Sequence, residues 1–288
     1  MRLTLMIQNV ARGGLHDSSG NYKDRWPALA ERINEVKPDI LLLNELNGWK
    51  DYGHKQLVRA TNDLDMEAAP LSPTQTGYGT GLLFRQSSVG RMQYHNASLS
   101  YATTHGFAVT GFDIGLPHLL MLAPVHFSFY SAQKAVEEAQ LVINKTLPKS
   151  PFSIIAGDCN HSPASDPNPD FRKARAYNWA ARTVIESGED IPVSDFMPNR
   201  QVAWTLKRGG FVDAAWELYE RTRDKTLLKP TVGYDRIDQF WISKSLSAAI
   251  ESYQLTVKNS EATDHAGVVL VLNTDKVDTN LNWKPEEL

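Results

Sequence analysis

Polar residues able to bind a cation or move a proton stand directly against apolar runs at four places along the chain. Asn9 closes the apolar N-terminal run, and Glu45 closes Ile40-Leu41-Leu42-Leu43 in Leu-Leu-Leu-Asn-Glu-Leu. Asp158 and Asn160 follow Phe152–Ala156 in Ile-Ile-Ala-Gly-Asp-Cys-Asn, and Asp264 and His265 precede Gly267–Leu272. A carboxylate placed directly after an apolar strand is costly if it is buried alone. A divalent cation shared among several of them removes that cost, and oxygen donors suit Mg²⁺, Mn²⁺ or Ca²⁺. The single cysteine, Cys159, argues against a thiolate zinc site. Each segment alone also fits a plainer reading: a strand-end Asn, a loop carboxylate, an Asx turn at Gly-Asp-x-Asn, or a cap beside a core histidine. The joint occurrence of all four at expected strand ends is what points to a site.

The elements that must position these residues follow from periodicity. Residues 3–10, 40–43, 79–86, 106–114, 118–126, 152–156, 237–243, 252–257 and 267–272 are expected as strands. Trp26, Leu29, Ile33 and Val36 share one face of a helix over 24–36 that stops before Pro38. Further helices are expected over 133–147, ended by Pro148, and over 171–187 and 211–224, with a Pro/Ser/Asp/Asn-rich loop at 161–170. Strands and helices alternate, but some strands follow one another without a helix, which favours a mixed-sheet α/β layered fold. No linker divides the chain, so residues 1–273 read as one domain and 274–288 as a polar tail.

The order Asn9, Glu45, Asp158-x-Asn160, Asp238, Asp264-His265 resembles the DNase I-like endonuclease/exonuclease/phosphatase superfamily. So do Thr76-Gly77-Tyr78-Gly79-Thr80-Gly81-Leu82-Leu83-Phe84, Gly210-Phe211-Val212-Asp213-Ala214 and Arg236-Ile237-Asp238-Gln239-Phe240-Trp241-Ile242-Ser243. The resemblance implies a four-layered α/β sandwich, two packed mixed β-sheets flanked by helices, with the site at one end of the sheets. It implies metal ligation by Glu45, with Asn9 and Asp264 close by, and Mg²⁺ or Mn²⁺ as the cofactor. Asp158 would orient or deprotonate water, Asn160 would donate to a phosphate oxygen, and His265 would contact the phosphate with Asp238 fixing its tautomer. His126, in Ala-Pro-Val-His-Phe-Ser, resembles a second histidine facing the scissile phosphate; the plainer reading is a buried strand histidine. Some relatives pair that histidine with a glutamate, where this chain has Gly79, Thr80 and Gly81. Asp235 competes with Asp238, Arg12 and His161 are either phosphate contacts or loop residues, and Cys159 is expected to be inert.

The expected function is a metal-dependent nuclease hydrolysing phosphodiesters in nucleic acid. The alternatives are a phosphatase or phosphodiesterase on a small-molecule or lipid phosphate, and a binding module on the same fold. With 30 basic and 33 acidic side chains the net charge is −3, so tight non-specific duplex binding is not expected. No apolar run approaches membrane-spanning length and no secretory leader is visible, which gives the expectation of a cytoplasmic protein.

Overall fold

The computed structural model describes residues 1–184, 191–256, 261–280 and 283. In chain order the strands are β1 (Arg2–Asn9), β2 (Ile40–Asn44), β3 (Glu67–Ala68), β4 (Thr80–Phe84), β5 (Met92–Asn96), β6 (Val109–Phe112), β7 (Leu120–His126), β8 (Ser153–Asp158), β9 (Phe211–Asp213), β10 (Asp238–Ser243), β11 (Ile250–Leu255) and β12 (Val268–Asn273). They form two six-stranded sheets, ordered β11-β12-β1-β2-β4-β3 and β5-β6-β7-β8-β10-β9. Each sheet is antiparallel except at one pair, β1–β2 and β7–β8. A parallel pair needs a crossover, and a helix supplies it in both cases: Trp26–Val36 between β1 and β2, Ala132–Thr146 between β7 and β8.

Period-two alternation sorts the strand residues into three apolar layers. Leu3, Leu5, Ile7, Ile40, Leu42, Ile154, Ala156, Phe240 and Ile242 fill the space between the sheets. Their neighbours Met6, Leu41 and Leu43 face the outer layer of Trp26, Leu29, Ile33, Ala60 and Leu64. Ile155 and Trp241 face the opposite outer layer, where Ala135, Ala139, Val142 and Leu206 come from helices. This is the expected four-layered sandwich.

The same alternation places the strand-end polar residues. Continuing Leu3-Leu5-Ile7 leads to Asn9, Ile40-Leu42 leads to Asn44, and Ile154-Ala156 leads to Asp158. Reading β10 backwards from Phe240 leads to Asp238, and His126 follows Leu120 and Leu122 at even spacing. Registers then align them: Asn9 pairs with Asn44, and His126 and Asp238 both pair with Asp158. Two polar rows thus face each other at one end of the inter-sheet core.

Several local expectations change. Residues 211–224 are not one helix. Phe211–Asp213 pairs with β10, and Asp213 then caps the helix Ala214–Thr222 through Ala215 N (3.1 Å). Residues 171–184 of the expected 171–187 helix form 3-10 turns and the short helix Trp179–Arg182; 185–187 and residue 257 lie outside the described residues. The helices Asp51–Leu64 and Gln201–Arg208 and strand β5 were not anticipated. The expected polar tail is partly anchored: the terminal amine bonds Thr274 and Asp275 (both 2.8 Å), and Trp283 Nε1 donates to Leu147 O (3.3 Å). Among the described residues no helix is long and apolar enough to cross a membrane.

Asn44 clamps the two sheets, accepting from Asp158 N (3.1 Å) and donating to Val125 O (2.7 Å). Its approach is close enough that a Cβ on Gly157 would lie 1.9 Å from Val125 O, at a φ of 146°. Asn44→Ala would leave a buried N–H and a buried carbonyl unpaired. A loss of about 2–4 kcal/mol is expected in urea unfolding; a loss below about 0.5 kcal/mol would remove Asn44 as a clamp.

Candidate active site

Asp158 stands at the centre. Its Oδ1 accepts from Asn160 N (2.9 Å), and its Oδ2 accepts from Asn9 Nδ2 (3.2 Å). The Nε2 atoms of His126 and His265 stand 3.7 and 3.9 Å from that same Oδ2. Asn9 Nδ2 also donates to Glu45 Oε1 (3.1 Å), so one amide spaces two carboxylates. Glu45 Oε2 accepts from Arg12 N (2.8 Å). Among the described residues neither carboxylate forms an ion pair with lysine or arginine.

The backbone here is held in uncommon conformations. Ala11, Arg12, Glu45 and Asn160 have φ of 47°, 51°, 62° and 55°. Such strain in non-glycine residues persists where surrounding contacts over-determine it, and it concentrates at functional sites. Gly13 shows how close the packing is: a Cβ there would lie 2.1 Å from Asn47 O.

His265 Nδ1 bonds Asp238 Oδ2 at 2.8 Å. Asp235, the competitor for that place, instead accepts from Ser162 Oγ (2.6 Å) and Arg236 N (2.8 Å). Burial opposes charge on His265, but Asp238, Asp158 and Asp264 outweigh it and lift the pKa to about 10. Asp158, Asp238 and His265 are all buried, and each offers a ligand-capable atom within 4.8 Å of the others'. Asp264 is exposed, acting electrostatically on His265 and on Arg25.

Among the described residues no glutamate is hydrogen-bonded to His126. Its ring stacks on His105 at 4.1 Å and 18°, and His105 stacks in turn on Phe129. His105 Nδ1 bonds Thr76 Oγ1 (2.8 Å), and buried Glu138 fixes both adjoining loops through Thr104 N (2.7 Å) and Ser128 N (2.8 Å). Neither His105 nor Glu138 adjoins a motif, so the sequence carried no signal for them. Arg182 was missed for the same reason. It is buried, with Nη2 donating to Asn160 Oδ1 (2.7 Å) and Nη1 to Tyr234 Oη (3.0 Å). Asn160 Nδ2 donates to Phe127 O (2.9 Å), which uses one of its two N–H bonds. Arg25 completes the list. Its guanidinium donates to Ala11 O and Ala262 O and lies in the fields of Asp264 and Glu45.

His161 is not a solvated loop residue. It is buried, and its Nε2 bonds Ser128 O (3.2 Å). Cys159 is buried, and burial with nearby carboxylates raises its pKa, so the thiol stays protonated and inert. Arg236 is enclosed by Asp166, through Nε and Nη2 (both 2.8 Å), and by Asp213, through Nη1 (3.1 Å). That triad ties the 161–170 loop to β9 and β10.

The model of the endonuclease/exonuclease/phosphatase family matches residues 8–265. The chain belongs to this family. Solved structures with the same fold include D. rerio TDP2 complexed with a single-strand DNA product. That match has 17% identity, covers 95% of this chain and 99% of that one, and gives a TM-score of 0.58. The endonuclease domain of TRAS1, a telomere-specific non-LTR retrotransposon, matches at 17% identity, 96% and 100% coverage and 0.57. An endonuclease/exonuclease/phosphatase from Bacteroides vulgatus matches at 14% identity, 95% and 99% coverage and 0.61. A sequence search of curated proteins finds no match. In this family member, as in those structures, two mixed sheets face each other between helices.

Burial lowers the pKa of His105 to about 2 and of His161 to about 4, against an ordinary value of 6.5. Between pH 6.5 and 4 the unfolded chain takes up protons on both residues that the folded chain refuses, so stability falls as pH falls through that window. His265 acts in the opposite sense, contributing stability below pH 6.5 that is lost as pH rises towards 10. The melting temperature should therefore drop from pH 6.5 to 5, and less steeply in His161→Gln. An unchanged slope in that variant would show that folded His161 accepts protons freely.

Proposed function

We propose that this family member is a divalent-cation-dependent phosphodiesterase that cuts nucleic acid by in-line attack of water. The observation that carries the reading is the convergence of two imidazole Nε2 atoms, at 3.7 and 3.9 Å, on one oxygen of a carboxylate that Asn9 of the opposite sheet and the Asn160 N–H hold in place. In-line attack needs a positioned water, charge neutralisation on the phosphoryl group and donors to its oxygens. Asp158 accepts the water's proton or orients it. His265, lifted to about 10, is an imidazolium that donates to a phosphate oxygen, and Asp238 on Nδ1 leaves Nε2–H facing the site. His126 faces the same oxygen and delivers a proton to the leaving group. Asn160 offers its second amide N–H, and Arg182 beside it brings a cation that complements a phosphate.

Glu45, Asn9 and Asp264 would hold the metal. The chemistry fits Mg²⁺ or Mn²⁺: Glu45 and Asp158 are spaced by one neutral amide, and among the described residues neither is paired with lysine or arginine. Asn9 Oδ1 already accepts from Ala11 N (2.9 Å), so Asn9 chiefly sets Glu45 in place. A bound divalent cation would neutralise charge developing on the phosphoryl oxygens. The nucleic-acid part of the reading draws on the TRAS1 endonuclease domain and on TDP2 with its single-strand DNA product.

A panel of plasmid DNA, abasic duplex, RNA, bis-p-nitrophenyl phosphate and inositol phosphates, with and without metal, tests it. EDTA should abolish turnover and Mg²⁺ or Mn²⁺ restore it, while Glu45→Gln should need more metal. Full activity in metal-free buffer would sink the mechanism, and turnover confined to inositol phosphates would move the substrate to small molecules. Asp158→Asn and His265→Ala should each lower kcat by roughly 10²–10⁴ with the circular dichroism spectrum kept; collapse of that spectrum would assign both a structural role.

His126→Ala separates leaving-group catalysis from packing. Its loss should shrink on an activated p-nitrophenyl ester, whose leaving group needs no proton. Equal losses on activated and natural substrates, with a lowered melting temperature, would retire His126 from the reaction.

A further inference from the structure

Beside the catalytic groups, at the same end of the sandwich, the structure holds a cavity of about 310 Å³. Leu46, Leu71, Thr74 and Gly79 line it, together with Lys50 and Tyr101. It adjoins the phosphate site through the backbone. Leu46 follows Glu45 and donates its N–H to Gly79 O (3.0 Å), and the next residue, Thr80, pairs with Asn44.

The wall is fixed in advance. Lys50 Nζ donates to Ser72 O (2.7 Å), Ser100 Oγ to Pro73 O (2.5 Å), and Gln75 Nε2 to Tyr101 O. Thr76 bonds His105, whose ring stacks on His126, so the same loops brace the cavity and a site histidine.

The lining selects its occupant. The volume lies at the small end of ligand pockets, enough for one nucleoside. Two leucines and bare Gly79 offer flat apolar surface, the Lys50 ammonium keeps N–H donors beyond the one given to Ser72 O, and Asp51 offers an acceptor. Tyr101 is 62% exposed, with a ring free to stack. An acyl chain would meet the charged Lys50 and Asp51, and a multiply phosphorylated ring would find one cation beside a carboxylate. A base can enter only if it is unpaired and unstacked from one neighbour. The net charge of −3 agrees, because stacking can hold a single strand without the basic surface that duplex binding needs.

We propose that this cavity is a nucleoside subsite that receives the unpaired base beside the scissile phosphate, making the protein a single-strand-preferring enzyme. The assignment rests on the phosphodiesterase reading above and goes beyond it in naming strand state and subsite. Tyr101 is a specificity residue, not part of the catalytic group.

The test uses the full chain, Tyr101→Ala and Gly79→Val. A Cβ on Gly79 meets only Thr74 Cγ2, at an ordinary 3.6 Å, so the valine fills space without backbone conflict. Single-stranded oligonucleotides with one abasic residue moved along the strand are compared with the intact strand and its duplex. In the wild type, cleavage beside the abasic residue should slow roughly 5- to 100-fold, the range for losing one stacked base. Both variants should cut the intact strand more slowly by a similar factor, lose the abasic sensitivity, and keep bis-p-nitrophenyl phosphate hydrolysis within about twofold. Anisotropy of labelled oligo-dT in EDTA gives a readout without turnover, and Tyr101→Ala should weaken that binding by the same range. Duplex cut as fast as single strand, or an abasic penalty that persists in Tyr101→Ala, overturns the subsite. Hydrolysis of bis-p-nitrophenyl phosphate with no strand or variant contrast likewise overturns the subsite and leaves the phosphodiesterase reading standing. The anisotropy contrast without hydrolysis of any ester does the reverse.

Discussion

Asp158 is held from across the core by two asparagines of the opposite sheet, and the site is organised around that contact. Asn9 reaches its carboxylate and Asn44 its backbone N–H, while Asn44 also takes the carbonyl of Val125 on the neighbouring strand. A carboxylate at the end of a buried strand survives only where its lone pairs meet donors. Because the Asn9 donor and the Asn44 acceptor both come from the other sheet, the distance between the sheets and the geometry of the site are one quantity. Gly157 is the corollary, since no side chain fits where Val125 O passes.

The electrostatics follow from that enclosure. Inside a poorly solvated slot, the Asp238–His265 pair keeps a histidine charged despite burial, while His105 and His161, lacking a carboxylate partner, are kept neutral. One fold thus sets histidines of the same neighbourhood to opposite charge states by the presence or absence of one carboxylate. The Arg236 triad applies the same rule to structure. Two carboxylates and one guanidinium, all buried, are tolerable because each is bonded, and together they fix the loop that follows Asp158.

Solved structures of the same fold share only 14–17% of their residues with this chain. What tolerates such divergence is the period-two pattern, which any apolar residue of suitable volume satisfies. Two local supports come from segments without a motif: His105 stacks on His126, and Arg182 approaches Asn160.

The sequence by itself determined the layered α/β architecture and most strand positions, because apolar runs with polar ends report burial on both faces of a sheet. It also marked Asn9, Glu45, Asp158, Asn160, Asp264 and His265, since each sits at the boundary of an apolar run, and Asp238 through the family resemblance. It favoured Asp238 over Asp235 only by its place before an apolar strand; the pairing distance to His265 is a property of the fold. Tertiary structure alone decided the rest. Asn44 sat beside Glu45 unremarked because its partners lie 81 and 114 residues away. The segment 211–213 became a strand because β10 was there to pair with it, against its helical periodicity. His105, Glu138, Arg182 and the cavity beside Glu45 arise from loops whose contacts span 22 to 34 residues or more, and no local pattern encodes which loop will lean on which.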